Sequence, residues 1–188
     1  MRRPVMRVVR ALGVVAATIA FAAMLLIAWR ALGGASVGFA VAVVWLPMTW
    51  LGTVSHVVPF RLPATVHALR GWERDGRVYE RLGVGLIKRL LRRRPIAWFN
   101  PGLRLPAERS AAGLATLARR MSTAEASHGI ALVLSLGAVA HAAARGWWLA
   151  AAVTLGLDVL INGYPVMLQR YNRARLRATV ATLTAGAG

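Results

Sequence analysis

The sequence predicts an all-α, multi-pass membrane protein of about four transmembrane helices with a cytoplasmic interfacial helical segment. Three observations predict it. Hydrophobic residues make up 57% of the 188 positions and the mean hydropathy is +0.54, whereas a soluble domain reaches about 45–50% apolar only with glycine counted. Charge is absent over long stretches: 19 residues from Ala11 to Trp29, 30 from Ala31 to Phe60, 16 from Gly129 to Ala144, and 24 from Gly146 to Gln169 broken by Asp158 alone. The remaining charge is lopsided, with 24 basic against 6 acidic residues, a net +18, and Lys88 the one basic residue that is not Arg.

A bilayer core of ~30 Å needs about 20 apolar residues as helix, because backbone polar groups find no water there. The gaps in charge therefore predict spans at roughly 10–29, 37–58, 128–144 and 147–168. Arg2, Arg3, Arg7 and Arg10 before the first run also fit the start of a signal peptide. The run is longer than the usual ~7–15-residue core of such a peptide, and a second follows after Gly33-Gly34, so an anchor helix is the expectation. The third run, with His141 and many alanines, is the weakest.

Orientation follows from the basic residues. The N-terminus, residues 61–127 and the tail from Arg170 together hold 22, while the two short turns hold Arg30 and Arg145. The positive-inside rule then places both termini and the central segment in the cytoplasm. The organisation read from this is a helical hairpin at 1–60, a basic cytoplasmic or interfacial segment at 61–127, a second hairpin with a tail motif at 128–176, and a flexible tail at 177–188.

In the central segment, punctuated by Pro63, Pro95, Asn100-Pro101-Gly102 and Pro106, residues 72–93 read as one amphipathic helix. Arg74, Arg77, Arg81, Lys88 and Arg92 fall within roughly 60° of one another, and Tyr79, Leu82, Leu86 and Leu90 within roughly 80° on the opposite face. Such a helix lies in the membrane interface or packs on its own spans with a solvated basic face. Gly76, Gly83 and Gly85 would each cost about 1 kcal/mol in an exposed helix. The Arg92-Arg93-Arg94 cluster suits anionic lipid or a phosphorylated donor. Nucleic acid is not expected, since no stacking platform or binding module accompanies the charge.

Several chemistries are excluded. The chain has no cysteine, no P-loop, no H-E-x-x-H and no His followed five residues later by Asp. Gly34-Ala35-Ser36-Val37-Gly38 matches a nucleophile elbow, but it falls in a tight turn between two helices and reads as small residues closing a hairpin. Glu125 and His128, three apart at the start of the third span, share a helical face. They suit a general base with an orienting carboxylate, a structural ion pair, or half of a metal site lacking its second half. Asp158 and Asn162, at i and i+4 inside the last span, are a functional-site candidate by their depth.

The run from Asn162 through Tyr164-Pro165 and Gln169-Arg170-Tyr171-Asn172-Arg173-Ala174-Arg175-Leu176 resembles the C-terminal signature of the glycosyl-4,4'-diaponeurosporenoate acyltransferase family. Ala124-Glu125…His128, Trp72-Glu73…Gly76…Tyr79, the basic residues around Lys88, and Leu62-Pro63 are similar to its upstream segments in the same order. The likeness covers about residues 50–180; the first span and the Ala- and Arg-rich composition depart from it. The resemblance implies transfer of a fatty acyl group to a sugar hydroxyl of a glycosylated carotenoid or another glycolipid. No cofactor or metal is expected, with acyl-CoA or acyl-carrier protein as donor substrate and membrane lipid around the site. It implies His128 as base with Glu125 orienting it, and His56 and His67 as the next candidates. Glu73, Tyr79, Lys88, Asn162, Tyr164, Gln169, Arg170, Tyr171, Asn172, Arg173 and Arg175 form the expected substrate-binding set. The alternatives are a non-catalytic scaffold for enzymes of the same pathway, or a membrane enzyme of other lipid chemistry.

Overall fold

The computed structural model describes residues 2–58, 60, 62–91 and 111–185. The Arg92-Arg93-Arg94 cluster and Pro95, Asn100-Pro101-Gly102 and Pro106 lie outside them. Every regular element among the described residues is helical: α1 (Arg2–Leu32), α2 (Val37–Ser55), α3 (Ala64–His67), a 3₁₀ turn (Gly71–Glu73), α4 (Arg77–Arg81), α5 (Val84–Leu91), α6 (Ala111–Ala144), α7 (Trp148–Asp158), a π turn (Val159–Gly163) and α8 (Tyr164–Ala185). Four helical stretches are long and apolar enough to cross a membrane: Val5–Leu32, Val37–Ser55, Ala115–Ala144 and Trp148–Ala178. The third begins well before residue 128, and α8 runs to Ala185 through most of the expected flexible tail.

The chain divides into two compact units, Met1–Phe60 with Ser127–Gly163, and Arg61–Ala126 with Tyr164–Gly188. In the first, α1 packs on α2 through Phe21 stacked on Trp50 at 5.3 Å, and Trp50 Nε1 donates to Thr18 Oγ1 at 3.1 Å. The rest of α1 is largely exposed apolar surface, as a lipid-facing helix requires. Ser36 caps α2, its Oγ accepting from the Phe39 N–H at 3.0 Å, and Gly33 takes φ +75°. A Cβ at Gly34 would run into the Trp29 and Trp147 rings. The Gly34–Gly38 segment is thus a helix cap and a tight turn with no strand behind it. Ala40, Val44, Leu51 and Val54 are buried on α2, which packs on α7.

A π turn separates α7 from α8 just before Pro165. Proline has no N–H to give the preceding turn, and a wide turn absorbs that gap in the ladder.

In the second unit, residues 72–93 are not one amphipathic helix. Gly76 (φ +74°) and Gly83 (φ +78°) adopt left-handed conformations that end one short helix and begin the next. Two of the glycines that would have weakened a continuous helix, Gly76 and Gly83, are the joints of a broken one, while Gly85 lies within α5. Tyr79, expected to face lipid, is buried with Val84 against Leu168 and Tyr171 of α8. Leu82 and Leu86 keep exposed apolar surface, and Arg74, Arg77 and Arg81 are exposed as well.

Candidate active site

The second unit encloses a charged cluster built around Arg170. One side of its guanidinium forks onto Glu73, with Nε donating to Oε1 and Nη2 to Oε2, both at 2.7 Å. Nη1 donates to Glu125 Oε1 at 2.8 Å and to the Val66 carbonyl at 2.9 Å, and Nη2 also donates to the Ala68 carbonyl at 3.0 Å. All five guanidinium N–H groups are therefore used inside the protein.

Glu73 is equally engaged. Tyr79 donates its hydroxyl to Oε1, and the Arg70 backbone N–H donates to Oε2 at 2.6 Å. Burial pushes the Glu73 carboxyl up, but the bonds from Arg170, Tyr79 and Arg70 outweigh it and hold the pKa at about 2. Burial, then the bond to Glu73, push the Tyr79 phenol up to about 12 against the opposing pull of Arg170.

At the other end, Glu125 is buried with three cationic or polar partners. Besides Arg170, its Oε2 lies 3.0 Å from His67 Nδ1 and 2.5 Å from Arg173 Nη2. An imidazole whose Nδ1–H is directed at a carboxylate carries its lone pair on Nε2. Arg173 is buried too, and its Nε has no acceptor among the described residues.

A depression of about 450 Å³ opens beside this cluster, lined by Thr65, Val66, Ala68, Arg70, Trp72, Glu73 and Arg170.

The family model described as glycosyl-4,4'-diaponeurosporenoate acyltransferase matches residues 63–182, which include every residue of this cluster. The chain belongs to that family. It is therefore placed among acyltransferases of carotenoid glycolipid synthesis. The match begins beyond α1 and α2. Comparison with curated proteins and with solved structures gives no match.

Of the residues that resemblance to the acyltransferase family singles out, Glu73, Tyr79, Glu125, Arg170 and Arg173 meet in the cluster. Lys88 and Asn172 meet beside it, Nζ donating to Oδ1 at 3.0 Å and lying 5.2 Å from the centre of the Tyr171 ring. Tyr171 donates to Glu80 Oε1 at 2.9 Å, and Tyr164 to the Leu82 carbonyl at 3.0 Å, tying α8 to α4 and to the loop after it. Gln169 is half-buried and Arg175 exposed on α8.

Glu125 and His128, read as a pair, turn to different partners. His128 Nδ1 lies 3.2 Å from Asn162 Oδ1, and Asn162 Nδ2 donates to Asp158 Oδ1 at 2.8 Å within the first unit. Residues three apart lie about 60° apart around a helix, and two guanidinium groups compete for Glu125 far better than a neutral imidazole. The His67 partnership spans 58 residues, and no local spacing announces it. The histidine between Pro63 and the Trp72-Glu73 motif was the available signal.

Among the described residues no group of three or more His, Asp or Glu is placed to hold a metal ion.

Proposed function

We propose that this acyltransferase esterifies a sugar hydroxyl of a membrane glycolipid, a glycosylated carotenoid by the family's chemistry, using a fatty acyl thioester as donor. The observation that carries the reading is the His67 Nδ1 contact to Glu125 Oε2 at 3.0 Å. It is the arrangement of a general base held in one tautomer by a carboxylate, with Nε2 left to take a proton. Arg170 and Arg173 both contact that carboxylate, which faces the imidazolium that forms.

In this reading His67 Nε2 removes the proton of the sugar hydroxyl as its oxygen attacks the thioester carbonyl. The carbonyl oxygen becomes an oxyanion, and Arg173 Nε, a buried donor without an acceptor among the described residues, is the group suited to receive it. The C–S bond then breaks, and the departing sulfur takes the proton back from the imidazolium. Acyl-CoA and acyl-carrier protein both supply such a thioester from the cytoplasm. The 22-to-2 split of basic residues supports a cytoplasmic position for residues 61–127 and both termini.

A second reading keeps His128 as the base. The specific observation in its favour is the Asp158–Asn162–His128 chain. Because Asn162 gives its N–H to Asp158, its Oδ1 accepts from His128 Nδ1–H, which again frees Nε2.

Purified protein in lipid bilayers, supplied with a glycosylated carotenoid and either thioester, is expected to form an ester detectable by mass spectrometry. His67→Ala should lower the rate by ~10²–10⁴-fold while the protein stays folded. The same loss in His128→Ala, with His67→Ala active, transfers the role to His128. Folded wild-type protein that forms no ester from either donor refutes acyl transfer and favours a scaffold.

A further inference from the structure

The depression beside the charged cluster has a composition of its own. Its floor is the Glu73–Arg170 pair, in which each partner neutralises the other. The acceptor atoms around it are occupied: both Glu73 oxygens, the Val66 carbonyl and the Ala68 carbonyl already receive hydrogen bonds. The wall groups left to meet a ligand are the Trp72 indole, the Arg70 guanidinium and the Thr65 hydroxyl. Trp72 is 58% exposed, a large aromatic plate beside a concave surface. The backbone on either side of it is tied down, because Glu73 N donates to the Arg70 carbonyl at 3.0 Å and Glu73 Oε2 receives the Arg70 N–H.

Resting on the acyl-transfer reading, we infer that Trp72, with Arg70 and Thr65, forms the subsite that holds the sugar ring of the acceptor. A pyranose has an apolar C–H face and a rim of hydroxyls. The indole offers an apolar plate for the face. The Arg70 fork donates to adjacent hydroxyl oxygens, and the Thr65 hydroxyl both donates and accepts.

Position separates this ligand from the thioester donor's nucleotide, which would also stack on Trp72 and pair with Arg70. Val66 and Ala68 line the depression and flank His67 in the chain, so the backbone that carries the base forms part of its wall. A reacting sugar hydroxyl has to come within ~3 Å of the imidazole nitrogen, so its ring belongs on the wall nearest the base. A nucleotide sits at the far end of a long pantetheine arm from the reacting carbonyl, and cannot fill a depression that adjoins the base.

The test uses full-length protein in lipid nanodiscs and saturation-transfer NMR with methyl β-glucoside, which has no lipid tail to partition into the bilayer. Transfer to the ring C–H protons is expected in the wild type and in His67→Ala, lost in Trp72→Ala, and retained in Trp72→Phe. In turnover with a glycolipid acceptor, Trp72→Ala should raise the acceptor KM roughly tenfold and leave the thioester KM unchanged. The Trp72 side chain is exposed, and Trp72→Phe controls for folding. An equal glucoside signal in Trp72→Ala, or none in the wild type, overturns the assignment. So does a rise in the thioester KM alone, or free coenzyme A binding lost in Trp72→Ala, either of which gives the depression to the donor. Glucoside binding that depends on Trp72 without any ester formation would retain the subsite and refute acyl transfer. Ester formation with an unchanged acceptor KM in Trp72→Ala would do the reverse.

Discussion

The Glu73 end and the Glu125 end of the cluster share one arginine, yet they are finished to different degrees. At Glu73 every donor and acceptor is matched: Arg170 forks onto it, Tyr79 and the Arg70 backbone complete it, and nothing is left over. At Glu125 the matching stops short, since His67 uses only Nδ1 and Arg173 Nε has no acceptor among the described residues. A saturated buried network holds elements in place, here the 3₁₀ turn, α4 and α8. An unsaturated one bears a cost that substrate can relieve. The same residue types thus do different work according to which of their hydrogen-bonding positions the fold has already filled.

Breaking the saturated end should show in stability first. Arg170→Ala leaves Glu73 ionised, buried and without its fork, and should cost about 3–5 kcal/mol, read as loss of folded protein on heating in detergent. Arg173→Lys probes the open end. It keeps the charge beside Glu125 and removes the Nε donor, so turnover per folded molecule should fall by about 10²–10³-fold with little change in melting temperature. Because Arg170 also touches Glu125, the contrast rests on Arg173→Lys: if that variant loses stability in parallel with activity, the contrast between the two ends is false.

Tyr79→Phe sharpens the comparison. It deletes one donor to a buried carboxylate and should cost about 1.5–3 kcal/mol, with turnover per folded molecule near the wild-type value. Acidification offers a milder probe. The folded-state pKa of Glu73, about 2, lies below its ordinary 4.5, so its ionised form contributes fully to stability above pH 4.5. That contribution is lost as pH falls from 4.5 toward 2. The melting temperature of the wild type should decline across this window, and that of Glu73→Gln should start lower and decline less.

The membrane-spanning helices were legible because a bilayer forbids charge, and the gaps between arginines are long enough to see by eye. The density of polar groups from Gln169 to Arg175 also announced a polar cluster. What local reading could not supply was valence. Whether Arg170 is free to bind substrate depends on where the Val66 and Ala68 carbonyls lie, about a hundred residues earlier in the chain. The continuous helix over 72–93 failed for a related reason. Periodicity assigned Tyr79 a face, but Gly76 and Gly83 could take left-handed conformations, and a tyrosine with a buried carboxylate to bond gains more inside than on lipid. Helical spacing joined Glu125 to His128, whereas the tertiary fold gave the carboxylate His67 and two arginines.

The tautomer of His67 is the closest readout of a base held by its carboxylate. In protein labelled with ¹⁵N-histidine, reconstituted in bilayers at alkaline pH and assigned by comparison with His67→Gln, each ring nitrogen reports its own proton. A protonated Nδ1 and a bare Nε2 are predicted, the state that a carboxylate partner enforces and a general base requires. A protonated Nε2 with a bare Nδ1 would mean that Glu125 does not hold this imidazole, and would contradict the account.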